Sequence, residues 1–242
     1  MAQVGRFCID KWEAHLATAD ASGKLVVHPH NQRPEPKVGY VAVSAGGVFP
    51  QGYMSRVESE AACKQAGKRL CSMGEWRTAC AGKRHTTYPY GVQRVAGKCS
   101  SGKKHLLSEL FGKNGKNWKY DEHFNNPTLL ATPGFLDKTG ENEACQTDAG
   151  IFDMVGNLHE WVKDTVTDEL VEQMEAESVE RRKQPWRRGN GVFLGGFFST
   201  SAEHGPGCTF TTIAHEPAYH DYSIGFRCCK AAEGQPGATK KK

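Results

Sequence analysis

Nine cysteines in a chain of 242 residues constrain this fold more than any other feature of the sequence. None of them forms a C-x-x-C pair, so structural zinc is poorly supported. A disulfide framework is the better reading. It implies an oxidising, extracytoplasmic setting, whether periplasm, cell surface or medium. An odd count leaves at least one thiol without a partner in the chain. The competing reading is nine reduced cysteines packed as small hydrophobes.

Hydrophobic residues make up 38% and charged residues 24%, enough apolar surface for a packed core. The net charge is only +4, and no compact basic run is longer than three residues, as in the tail Lys240, Lys241 and Lys242. Binding of nucleic acid through an electrostatic footprint is therefore not expected. No apolar run approaches the ~20 residues of a membrane helix, so no transmembrane segment is expected. Met1 stands directly before Ala2, Gln3 and Val4 with no apolar leader core. An exported chain whose leader is absent fits that start. Oligomeric state is not readable from the sequence.

One domain over residues 1–232 and a flexible basic tail over 233–242 are expected. Residues 6–10 read as a short strand, residues 18–38 as a long loop and residues 40–48 as alternating strand. Ser55 with Glu58, and Ser72 with Glu75, are two capping boxes, each Ser accepting from the third amide while the Glu reaches back. They predict helices stopped near Gly67 and Gly82. Residues 83–149 are long and irregular, with a turn or two of helix over 104–111. Such a stretch needs cross-links or ions to hold it. Cys99 and Cys145 bracket it and are one way of closing it, although spacing alone does not fix connectivity. Residues 169–183 are dense in charge and predict a solvated helix or a mobile insertion. A partner-binding helix is the alternative there. Residues 192–198 and 223–229 read as strands.

Six segments, in order, resemble the formylglycine-generating enzyme (sulfatase-modifying factor) family. Ala61-Ala62-Cys63 with Ala66-Gly67-Lys68-Arg69-Leu70 resembles its helix end, and Ser72-Met73-Gly74-Glu75-Trp76 the start of its next helix. Tyr88-Pro89-Tyr90-Gly91 resembles "Y-P-W-G", and residues 150–161 resemble "G-L-Y-D-M-V-G-N-V-W-E-W". Gly195-Gly196 and Gly225-Phe226-Arg227-Cys228 resemble "R-G-G-S-W" and "G-F-R-C". The resemblance implies an α+β fold related to C-type lectins, low in regular secondary structure and stapled by disulfides. By carry-over, Cys63 pairs with Cys228 and Cys80 with Cys208. Cys8, Cys71, Cys99, Cys145 and Cys229 remain. Cys228 and Cys229 are adjacent in a strand, face opposite sides and are expected to serve different partners.

The resemblance also implies one Ca²⁺ held by the carboxylates of Asp153 and Glu160 and the carbonyls of Gly156 and Leu158. A hard cation wants such oxygens; a capped turn is the alternative. A second family calcium site draws on residues 124–138, where Asn125 and Asp137 are the residues of suitable type. The family's oxidases hold copper with two cysteines shortly after the "R-G-G-S" strand, and one-valent copper favours thiolates. Residues 197–205 contain no cysteine, so formylglycine formation by that chemistry is not expected.

Histidines surround the gap. His159 replaces the tryptophan that faces the family's active-site cleft, His204 lies beside the missing thiols, and His215 and His220 follow. Imidazoles suit iron or copper, and Glu203, Glu216 or Asp221 are available carboxylates. One expectation is a metal-dependent oxidoreductase with catalytic His159, His204, His215 and His220, acting on a peptide or small thiol. Related sulfoxide synthases of the ergothioneine type take iron from a helical H-x3-H-x-E domain absent here. The alternative is a non-catalytic module that binds peptide, glycan or a small molecule, with Phe197, Phe198, Phe210, Tyr219 and Tyr222 near the pocket. A purely structural, calcium-stabilised protein is the third.

Overall fold

The computed structural model describes residues 1–177, 184–200 and 204–232. The tail over 233–242 lies outside the described residues. Eleven strands and five α-helices are described. The strands are β1 (Ala2–Val4), β2 (Phe7–Ile9), β3 (Ala14–Ala19), β4 (Leu25–Val27), β5 (Val41–Ser44), β6 (Arg69–Leu70), β7 (His159–Thr165), β8 (Gly191–Leu194), β9 (Thr211–Thr212), β10 (Ile224–Phe226) and β11 (Cys228–Ala231). The helices are α1 (Arg56–Gln65), α2 (Met73–Ala81), α3 (Leu106–Phe111), α4 (Thr128–Ala131) and α5 (Asp168–Glu177).

Three small sheets carry the architecture, in the orders β1-β2-β11-β6, β10-β7-β8-β9 and β4-β3-β5. Both ends of the described chain meet in the first, because β11 enters between β2 and β6. β10 runs parallel to β7, with Ile224 opposite His159 and Phe226 opposite Trp161. The fold is the α+β, disulfide-stapled one expected, with long stretches outside helix and strand.

Both helix starts form as the sequence dictates. Ser55 and Ser72 each accept from the third amide, and Glu58 and Glu75 return to the cap amides. The reading of residues 18–38 as loop needs correction, since they include the end of β3 and all of β4, paired through Ala17–Ala19 with Leu25–Val27. Of the reading of 169–183 as a solvated helix or a mobile insertion, the helix forms over Asp168–Glu177, but it is not solvated on every face. Leu170, Val171 and Met174 are buried in α5 and join the core that holds Trp76 and Val162. Their i, i+1, i+4 spacing gives the helix an apolar stripe despite its charge. Residues 178–183 lie outside the described residues. The closing strand is two strands in two different sheets, broken at Arg227.

Four disulfides tie early segments to late ones. Cys63–Cys228 joins α1 to β11, and Cys80–Cys208 joins α2 to the turn Gly207–Thr209. Cys99–Cys145 closes the irregular stretch, and Cys71–Cys229 completes the set. Cys228 and Cys229 do serve different partners, because neighbouring strand residues face opposite sides. The largest loop, with a sequence separation of 165, contributes roughly 5 kcal/mol in the chain-entropy model. Only Cys8 is left as a free thiol.

Thiol titration of the denatured but unreduced chain is expected to give one thiol, and after full reduction nine. Two or more thiols before reduction would remove one of the four pairs.

Candidate functional site

Gly156 shapes the loop that enters β7. It takes φ 82°, and a Cβ there would lie 2.0 Å from the Ser100 carbonyl oxygen. The turn aims the next residues in alternate directions. Asn157 Nδ2 donates to Glu13 Oε2 at 2.6 Å, and the Leu158 amide donates to Glu13 Oε1 at 3.0 Å. His159 faces one side of β7 and Glu160 the other, as strand alternation requires.

Glu160 faces Arg227, which is fully buried. The guanidinium donates to both Glu160 oxygens at 2.7 Å, and to the peptide oxygens of Asp10 at 3.1 Å and Phe152 at 2.9 Å. Trp76 Nε1 adds a 2.8 Å bond to Glu160 Oε2. Asp153 Oδ2 accepts from the Gly140 amide at 2.7 Å. Burial, then the charges of Asp153 and Glu160, push the Glu13 carboxyl well above the usual range. Burial pushes Asp153 up to about 7.

Of the four residues implied as calcium ligands, Asp153, Gly156, Leu158 and Glu160, the two carboxylates face the Arg227 guanidinium, Glu160 by direct bonds and Asp153 by its charge. As placed they do not fit a calcium ion, because both Glu160 oxygens are turned to Arg227 and Trp76. Asn125 is bonded to His220, and Asp137 to Lys103 and Asn142. Glu13 and Arg227 were missed as site residues in the sequence. The available signal was Arg227 itself, a charge within the apolar run of residues 224–229, which needs a buried partner.

His159 faces a cleft of about 470 Å³ above β7, β8 and β9. Its ring lies 4.8 Å from Phe193, 5.0 Å from Phe197 and 5.4 Å from Phe210, centre to centre. It is 7% exposed, and its Nδ1 has no hydrogen-bond partner among the described residues. Burial, followed by the neighbouring His204 and His215, pushes its pKa down to about 3. His215 stacks on Tyr219 at 3.8 Å, and burial lowers its pKa as well. His204 meets Phe210 edge-on at 5.5 Å.

Three of the four expected histidines therefore share the cleft. His220 does not line it. Its Nδ1 pairs with Asn125 Oδ1 at 2.7 Å, and its backbone is bracketed by the Tyr120 hydroxyl. His105, absent from the sequence-based set, lines the cleft and stacks on Trp118 at 5.2 Å. Phe197, Phe210, Tyr219 and Tyr222 line the cleft as expected, whereas Phe198 is buried in the core behind it. Asp221 lines the cleft, Glu216 does not, and Glu203 lies outside the described residues. No thiol enters from residues 197–200 or 204–207, and Cys208 is bonded to Cys80. Among the described residues, no three His, Cys, Asp or Glu side chains stand together as a metal's ligand set.

The model of the sulfatase-modifying factor enzyme 1-like domain matches residues 15–232. The chain belongs to this family. Among solved structures similar to this domain, the crystal structure of CarF is 15% identical, covering 77% of this chain and 69% of that one at a TM-score of 0.45. Treponema denticola variable protein 1 is 14% identical, covering 93% of each chain at 0.47. The P3c variant of the Major Tropism Determinant is 12% identical, covering 93% of this chain and 62% of that one at 0.43. No curated protein matches the sequence significantly.

Three outcomes are expected of this sulfatase-modifying-factor-type domain. Arg227→Met leaves Glu13, Asp153 and Glu160 buried without a cation, and urea unfolding should show a loss of about 3–5 kcal/mol. A calcium chelator should leave the wild-type melting temperature unchanged, since the guanidinium balances the loop. For His159 the folded pKa lies below the ordinary 6.5, so the unfolded chain binds its proton first. Its contribution to stability is complete above pH 6.5 and is lost as the pH falls towards 3. His159→Phe should flatten that part of the stability–pH curve; an unchanged slope would show that burial of His159 is not its cause.

Proposed function

We propose that this domain is a ligand-binding member of its family, one that has replaced thiol chemistry with a cleft of aromatic rings and neutral imidazoles. The observation that carries this reading is His159 in the cleft wall, whose buried Nδ1 has no hydrogen-bond partner among the described residues. A buried polar atom left unpaired costs about 1–3 kcal/mol, and an incoming donor recovers that cost. The rings of Phe193, Phe197, Phe210, Tyr219 and Tyr222 supply apolar surface around it. Few directed polar groups among many apolar ones is the usual composition of a small-molecule site. The ligand class is a small molecule or a peptide side chain. Four disulfides support an oxidising, extracytoplasmic setting. Among the described residues no helix is long and apolar enough to cross a membrane.

A second reading keeps iron or copper in the cleft. It is favoured by the closeness of three imidazoles, since His204 and His215 both act electrostatically on His159. Neutral imidazole is the form that binds metal. His204 and His215 would have to swing towards His159 to complete a ligand set. Iron or copper near one equivalent in protein purified without chelators, lost in His159→Gln, would support an oxidoreductase. Trace metal only would end that reading.

Phenol tests the leading reading, because its hydroxyl can donate to His159 Nδ1 while its ring meets the aromatic walls. Saturable binding is expected by calorimetry or by histidine resonance shifts, and Ser199→Trp, which fills the cleft, should abolish it. Absence of binding to the wild type, or equal binding to the filled variant, would overturn the proposal.

A further inference from the structure

The charge of the cleft says what kind of ligand it selects. Its described lining contains no lysine and no arginine. It contains one carboxylate, Asp221, which lies 6% exposed. Oδ1 of that carboxylate accepts from the Ser223 amide at 2.8 Å and from Ser223 Oγ at 2.6 Å, and Oδ2 accepts from the Tyr219 hydroxyl at 2.6 Å. These bonds fix the carboxylate against the cleft without bringing a positive charge to it. A buried carboxylate held only by neutral donors keeps an outward field that a cation can still use.

The walls point the same way. Phe193, Phe197 and Phe210 surround His159, and Tyr219 and Tyr222 lie within two residues of Asp221 in the chain. Aromatic faces are the negative part of the ring quadrupole and attract cations. Three of the four cleft imidazoles do not oppose this, since burial favours the neutral form of His105, His159 and His215. Burial, with the nearby Asp221 charge, likewise keeps the Tyr219 and Tyr222 phenols protonated.

We propose that the cleft selects an organic cation, an ammonium group carried by a small molecule or a side chain, enclosed by Phe193, Phe197, Phe210 and the two tyrosines with Asp221 as counter-charge. This rests on the reading of the cleft as a ligand site. An anionic or strongly polar ligand is disfavoured by the same features. The ammonium is held by ring faces and by Coulomb attraction, which is stronger in a partly dry site than in water.

Choline and 3,3-dimethylbutan-1-ol test the inference, because they share a shape and differ in charge. Calorimetric titration of the intact chain should show choline binding about tenfold more tightly than the alcohol. Asp221→Asn and Phe210→Leu should each reduce that preference, circular dichroism confirming that each variant is folded. The wild-type comparison stands even if neither variant folds. Equal affinity for the two probes overturns the cation inference and leaves the ligand site intact. Failure of both probes while phenol binds also overturns it, and failure of all three overturns the ligand site as well.

Discussion

A single guanidinium holds the centre of this molecule. Arg227 lies where the last stretch of chain passes from one sheet to another, and it is the positive charge paired with the buried Glu160. Glu13 and Asp153 share the same surroundings. Its donors reach the peptide oxygens of Asp10 and Phe152 as well as Glu160. An N-terminal segment, the loop before β7 and the C-terminal strands are therefore joined at one side chain. Such a cluster is a poor way to gain net stability, because desolvation offsets most of the attraction. Its effect is to make one arrangement of these segments far better than any other, since every misplacement strands a buried charge.

The cleft depends on that arrangement through strand geometry. Glu160 must face Arg227, so His159, one residue earlier, must face the opposite side. The parallel pairing of β10 with β7 then brings Ile224 beside His159, which places Asp221, Tyr222 and Ser223 at the rim. The Cys80–Cys208 bond fixes the other wall, where His204 and Phe210 stand. A pocket of rings and imidazoles is thus built on the back of an ion pair.

Much of the fold was readable in advance, and for local reasons. The capping boxes at Ser55 and Ser72 act within four residues of chain, so their effect needs no tertiary context. The divergence of Cys228 and Cys229 follows from the alternation of a strand. The readings that failed depended on distant partners. The charge of α5 suggested solvent, but its three apolar residues met a core that no local pattern reveals. β4 looked like loop because residues 18–38 are rich in Gly, Pro, His and Asn, and its three residues pair on one side only, at the edge of their sheet. Of the four histidines grouped by sequence, three share the cleft, while His220 turns to Asn125.

Short-range chemistry settled where helices begin, which cysteines could not share a partner, and that the thiol pair of the family's oxidases is missing between residues 197 and 205. Only the folded chain decided that Arg227 sits among the carboxylates of the loop before β7, and that Asp221 is the cleft's one described carboxylate. The reason is distance along the chain. Glu13, Glu160 and Arg227 come from three remote segments, and a buried charge reports that it needs a partner without naming which.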